Sequence, residues 1–203
     1  AQLGLDAEID VFENRGRDIL PFLHVANRLL DEGVGVVLKL HTKRSTHRDD
    51  GRRWFGELIE RLTAPTRARL LLDAFIDDPK LGMIGPEGHM PRLDDYLGAN
   101  ADRLEYLALR MGMPATGLIN EDRFVAGSMF WVRLEALQPV LDACLFPWEF
   151  ESEAGQIDGT AAHAAERLFA MAAAHAGYHV QDAATLCGEP SLTPHDFRYA
   201  DRS

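Results

Sequence analysis

The spacing of apolar residues changes period along the chain, and each change marks an element. Residues 19–31 place Ile19, Leu20, Leu23, Ala26, Leu29 and Leu30 three or four apart, which predicts an amphipathic helix. Asp18 stands where an N-cap belongs, Pro21 falls in the first turn, and Gly33 stops the helix. Before it, residues 9–12 read as a short strand; after it, 34–40 form an apolar, β-branched run suited to a central parallel strand. Strand, helix and strand in this order predict a βαβ unit. The ligands of such sheets sit beyond the carboxyl ends of the strands, here the segments ENRGRD and HTKRS.

Further along, helices are expected over about 51–62 and 65–77, followed by a strand at 81–85 that ends in Gly-Pro. Residues 96–111 read as helix, 123–132 as a strand with a glycine inside it, and 134–144 as helix. An alanine-rich helix over 159–175 closes at Gly177, and residues 178–181 make a last strand. The expected architecture is α/β, a mixed and mostly parallel sheet flanked by helices. One domain spans residues 1–190, and the proline- and charge-rich residues 191–203 form a tail.

At 203 residues with 46% hydrophobic content, the chain can bury a core of ordinary size. Its formal net charge of −11 argues against a general nucleic-acid binder. Residues 39–53 reverse that sign locally, with six Lys or Arg against two Asp, and so predict an anion site. A solvated helix face accounts equally well for Arg48, Arg52 and Arg53. The two cysteines match no metal or redox spacing, and no apolar run approaches the roughly 20 residues that span a bilayer. No signal peptide is seen. The cytoplasm is the economical location, with the inner face of the cell membrane as a peripheral option.

Three segments carry candidate chemistry. In ENRGRD, Arg15 and Arg17 flank a glycine and can fork onto an anion, or simply decorate a turn. In LKLHTKRS, His41, Lys43 and Arg44 follow a buried-looking strand and can neutralise a leaving diphosphate. The chain contains no Asp-x-Asp pair to hold a divalent cation, so no metal or other cofactor is expected. The alternative metal set is His41, His47, Asp49 and Asp50, whose spacing matches no recognised ligand pattern. In FVAGSMFWVR, Gly127 and Ser128 permit close backbone approach, and Trp131 is either a stacking wall for a sugar or part of the core.

The segment FESEAGQIDGTAAHAAER at 150–167 is the richest. Glu149, Glu151 and Glu153 alternate, so an extended backbone puts three like charges on one face, where cations, substrate or solvent must answer them. Glu151, Glu153 and Asp158 are the candidate general bases, with Asp158 alternatively an N-cap. Ser128, Trp131, His163 and Arg167 are candidates for sugar and acceptor binding. Acidic and basic poles on one chain point to group transfer from an anionic donor.

ENRGRDILPFL, VLKLHTKRSTHRDDGRRW, LGMIGPEGH, FVAGSMFWVR and E-x-E-x-GQIDGT-x-AHA-x-ER occur in order from Glu13 to Arg167. Together they resemble the shared segments of the rhamnan synthesis F (RgpF-type) proteins of bacterial polysaccharide assembly. That resemblance implies a GT-A-like, Rossmann-like glycosyltransferase working on rhamnose-containing cell-surface glycans. The donor would be a nucleotide-diphosphate sugar, the acceptor a glycan or lipid-linked glycan, and the partners other polysaccharide-assembly domains. GT-A domains open with a strand, helix and strand that hold the base, and only about a dozen residues precede ENRGRD here. The first βαβ part is therefore expected to be missing or supplied elsewhere. A catalytically silent glycan-binding or assembly module is the competing expectation, and a metal-dependent hydrolase a third.

Overall fold

The computed structural model of the chain describes residues 7–42, 51–114 and 123–193. Its sheet has four strands, β1 (Val36–Lys39), β2 (Leu81–Gly85), β3 (Phe130–Arg133) and β4 (His179–Asp182). Their order is β1-β3-β2-β4; β3 is antiparallel to both neighbours, and β2 pairs with β4 in parallel. The sheet is thus mixed, but not mostly parallel as the pattern had indicated. Because β3 is antiparallel to β2, it starts at the edge where β2 ends. Strands β1, β2 and β4 all point to that same edge.

Seven α-helices are present among the described residues: α1 (Ile19–Asp31), α2 (Gly51–Thr63), α3 (Pro65–Asp77), α4 (Ala101–Arg110), α5 (Gln138–Asp142), α6 (Ala161–His175) and α7 (Ala183–Leu186). The central one is α6, which touches α1, α4, α5, β2 and β4 and buries twelve of its fifteen residues. Its alanines explain how so many elements can approach: a small side chain on every face lets neighbours pack close to the helix axis. Phe169 supplies the bulk where space remains. It meets Phe22 of α1 and Phe130 of β3 edge-on, with ring centroids 5.9 and 5.5 Å away.

Residues 9–12 are not a strand. Ile9 and Val11 are almost fully exposed, and the segment lies along α1, tied by Arg28 to Glu8 and Asp10 at 2.5 and 2.8 Å. Phe12 stacks on His24 of the same helix. The predicted βαβ unit is therefore absent: a strand is made by hydrogen bonds to a neighbour, and alternation alone supplies none. The predicted strand over 123–132 shrinks to β3, because Gly127 and Ser128 adopt φ of +92° and +52° and break the extended chain. The stretch predicted as helix over 134–144 begins as a 3-10 turn, Leu134–Leu137, before α5.

Strand β2 is buried at every position. At its second residue, a Cβ on Gly82 would stand 2.5 Å from the Tyr178 Cβ and 3.0 Å from that of Ala136. Gly82→Ala must push β4 or the turn after β3 away, and should lower stability by about 1–3 kcal/mol. The urea midpoint reads this directly; an unchanged midpoint would show that the sheet accommodates a side chain there.

Candidate active site at the carboxyl edge of the sheet

The end of β1 carries a buried charge. Lys39 is 5% exposed, and its ammonium lies 5.4 Å from the centre of the Phe22 ring and 5.7 Å from that of Phe130. Its three protons have three acceptors: the Asp18 carboxylate, the Ser128 carbonyl at 2.7 Å and the Ser128 hydroxyl at 2.9 Å. Asp18 precedes α1 as expected but makes no side-chain cap; its carboxylate is used on Lys39 instead. His41, two residues on, puts Nε2 2.7 Å from the Gly127 carbonyl and 3.8 Å from Asp18.

The left-handed Gly127-Ser128 pair makes this convergence possible. Its carbonyls turn towards β1, while the Gly127 N–H donates to Glu166 of α6 at 2.7 Å. A Cβ on Gly127 would sit 3.3 Å from the Trp54 ring and in a backbone region that other residues avoid. Burial raises the Asp18 pKa, but the charges of Lys39 and His41 and the Lys39 hydrogen bond outweigh it, so the carboxyl lies below its ordinary value. Burial also pulls Lys39 below the usual lysine range, with Asp18 and Glu166 opposing.

The acidic segment does not confront the basic strand end across open space. Each of its glutamates is met by its own arginine: Glu149 by Arg110 at 2.5 Å, Glu151 by Arg103, and Glu153 by Arg17 at 3.5 Å. Arg15 donates to the Phe150 carbonyl at 2.7 Å and the Ser152 hydroxyl at 3.1 Å, and a β-bridge joins Arg15 to Ser152. Arg17 also bonds the Gln156 carbonyl. Arg15 and Arg17 are thus laid along 150–156, while His41 faces Gly127, with Asp18 joining the two groups. Lys43 and Arg44 lie outside the described residues, as do His47, Asp49 and Asp50.

Thr160, not Asp158, caps α6, sharing a capping box with His163. Glu151 adds a second cap by accepting the Ala161 N–H at 3.0 Å. Asp158 reaches across to the turn before α4, accepting from Asn100 Nδ2 at 2.7 Å and the Ala99 N–H at 3.1 Å, with Arg167 at 3.4 Å. Burial raises its pKa, but Asn100, the Arg167 charge and the Ala99 and Gly159 N–H groups bring it below the ordinary value. Arg167 is buried, bonded to the Tyr96 and His163 carbonyls at 2.9 Å and poised over Phe124. His163 is depressed by burial and then by Arg17, against Glu166 and Asp158, which keeps it neutral at pH 7. Trp131 is core: its indole N–H bonds the Leu62 carbonyl at 2.9 Å, leaving no open face for a sugar.

The family model described as rhamnan synthesis protein F matches residues 1–178. The chain belongs to this rhamnan synthesis family. Two relatives, both called uncharacterized protein WxcX, come from Xanthomonas campestris pv. campestris strains B100 and ATCC 33913. Each is 52% identical over 203 residues, which covers 98% of this chain and 29% of the relative. The chain therefore spans less than a third of the length of these curated relatives. No solved structure matches it. The family's description ties its members to rhamnan synthesis. No helix among its described residues is long and apolar enough to cross a membrane.

Sequence reasoning passed over Lys39, Asp18 as its partner, and Glu166. A signal for Lys39 was present: a cation inside the apolar run VVLKL must be buried and therefore paired. The family chain should show this pair in its acid unfolding. A carboxyl whose folded pKa is depressed holds its proton less tightly than in the unfolded chain. Its stabilisation is present above the unfolded pKa of about 3.9 and is lost as pH falls through the lower folded value. Asp18→Asn should cost about 3–5 kcal/mol at neutral pH by stranding Lys39, and its deficit against wild type should shrink below pH 4. A deficit in urea unfolding that stays constant from pH 7 to pH 3 would contradict the pairing.

Proposed function

We propose that this chain is a glycosyltransferase domain that moves a deoxyhexose, rhamnose by its family, from a nucleotide-diphosphate sugar to a growing cell-surface polysaccharide. The observation that carries the proposal is the contact of Glu153 with Arg17, next in the chain to Asp18, whose carboxylate answers Lys39 at the end of β1. The acceptor hydroxyl oxygen would attack the anomeric carbon while its proton passes to a carboxylate. The bond from that carbon to the diphosphate oxygen breaks, and the departing diphosphate takes the electron pair. Cations then stabilise it; Arg17, His41, Lys43 and Arg44 are our candidates, with Arg15 anchoring the loop. A sheet with three co-directional strands and one reversed strand supports a GT-A-like reading of the fold.

The hydrogen-bond pattern separates the three candidate acids. Glu151 holds Arg103 and the first N–H of α6, and Asp158 fastens α6 to the turn before α4. Glu153 is the least committed. Among the described residues it faces Arg17 at 3.5 Å and accepts only a long 3.3 Å bond, from the Gly155 N–H, whereas Glu151, equally exposed, also caps α6. A donor diphosphate that draws Arg17 away would free Glu153 as the base. The second reading, a silent glycan-binding or assembly module, is favoured by the full pairing of Glu149, Glu151 and Asp158.

Titration with nucleotide-diphosphate rhamnose, followed by turnover with a rhamnan acceptor, decides between the two. We expect donor binding, and a 10²–10⁴-fold loss of kcat in Glu153→Gln with an unchanged melting curve. Asp158→Asn should chiefly lower stability, by about 1–3 kcal/mol, since it weakens a buried hydrogen-bond set. No donor binding or hydrolysis would support the silent module, and full activity in Glu153→Gln would remove it as base.

The absence of an Asp-x-Asp pair has its own consequence for turnover. Cationic side chains in its place should make the reaction insensitive to chelation. The rate is expected to be unchanged in excess EDTA; loss restored by magnesium or manganese would show that a metal carries the diphosphate charge.

A further inference from the structure

An exposed aromatic pair stands on the turn that leads into the acidic segment. Trp148 is 73% exposed and Phe146 46%, and their rings stack at 4.4 Å with planes 7° apart. Tyr106 of α4, half exposed, reaches the same turn through its hydroxyl, 3.3 Å from Glu149. Exposing two large stacked rings costs hydrophobic free energy, and a free surface turn would fold them inward or stay mobile.

This turn is instead held rigidly. Pro147 starts a one-turn 3-10 helix, Pro147–Glu149, and the Glu149 carboxylate bonds back to the Phe146 N–H at 2.8 Å. Arg110 clamps the assembly from α4, contacting Glu149 at 2.5 Å, the Tyr106 hydroxyl at 2.9 Å and the Ala143 carbonyl. Burial raises the Glu149 pKa, but the Phe146 N–H, Arg110 and Tyr106 bring it below the ordinary value, so the carboxylate stays charged. A small cavity of about 40 Å³ opens beside it, between Tyr106, Leu107, Leu145 and Phe150.

We propose that the Phe146–Trp148 stack is a platform for one ring of the glycan chain, a subsite made of residues other than those assigned to the transfer step. The chemistry fits a pyranose better than a protein partner. A sugar ring presents axial C–H groups on one face and hydroxyls around its rim. The outer face of the stacked pair, on the more exposed Trp148, receives the first, while Tyr106, Glu149 and Arg110 offer an acceptor and donors near its border. A deoxyhexose, whose ring carries a methyl in place of a hydroxymethyl group, adds apolar contact to this face. Pre-organisation by Pro147 and Arg110 means that little order is lost on binding. Membership of a polysaccharide-synthesis family makes a glycan the available occupant. The identity of the sugar rests on the proposed rhamnosyl transfer; the platform itself does not.

The chain contains three tryptophans, and the other two, Trp54 and Trp131, are buried with their indole N–H groups bonded. Trp148 is therefore the tryptophan that acrylamide reaches most readily, and quenching reports chiefly on it. A rhamnose tetrasaccharide added to the full chain should shift the emission to the blue and protect it from acrylamide quenching. Trp148→Ala should weaken binding about tenfold or more, and Trp148→Phe should recover part of it, with donor binding unchanged in both. No shift or protection at millimolar tetrasaccharide would overturn the platform. So would protection that follows protein concentration alone, since the rings would then be covered by a second copy. Turnover without any Trp148 response sinks only the platform; a Trp148 response without turnover sinks only the transfer reaction.

Discussion

A buried lysine between two phenylalanine rings must have its charge answered, and the way it is answered organises this molecule. Lys39 draws Asp18 off the cap of α1, draws the Ser128 backbone and hydroxyl inward, and so fixes where α1, β1 and the entrance to β3 meet. A desolvated ammonium without these acceptors would cost several kcal/mol, so the three segments are not free to settle independently. The left-handed turn at Gly127-Ser128 then follows as a requirement, because only that turn aims both the Ser128 and the Gly127 carbonyls at β1. Through the Gly127 N–H the same turn engages Glu166, which brings α6 into the network.

Helix α6 passes the constraint to the other side of the molecule. Its first turn is capped twice, by Thr160 and by Glu151, and its Arg167 reaches Tyr96 and Asp158 near the start of α4. The acidic segment is therefore less a loose reservoir of charge than a strap, with one arginine per glutamate. Such matching satisfies the like charges that alternation creates, and it leaves a graded series of carboxylates. Glu151 and Asp158 are committed to the backbone of neighbouring elements, while Glu153 holds only a long ion pair with Arg17 and one N–H. A group that must exchange a proton needs that looser hold, since every fixed hydrogen bond to the ionised form resists protonation.

Much of the local structure could be read from the residues. The helices at 19–31 and 65–77 and the strand at 81–85 fall where apolar spacing, Gly33, Pro65 and the Gly-Pro pair placed them. Errors arose where an element depends on a partner. Residues 9–12 have the alternation of a strand but lie on α1, because Arg28 holds Glu8 and Asp10 there. Asp18 and Asp158 both have the residue type of a helix cap, yet each is used elsewhere, on Lys39 and on the Ala99-Asn100 turn. Trp131 could have been a sugar wall or core, and its bond to the Leu62 carbonyl decides for core.

What the sequence determined by itself is the set of elements, the presence of opposed acidic and basic segments, and, through ordered motifs, the polysaccharide-synthesis family. These follow from nearest-neighbour geometry and residue type, which a linear chain carries in full. Only the tertiary structure decided strand direction, the pairing of charges and the exposure of Phe146 and Trp148. Strand direction depends on which edge the chain returns from, a property of the 86–129 segment as a whole rather than of any residue in β3. Charge pairing depends on distances between residues that can be more than a hundred positions apart, as Arg17 and Glu153 are. An ion pair falls off within a few ångströms, so one strand reversed or one helix turned would give each carboxylate a different partner, and a different chemistry, from the same sequence.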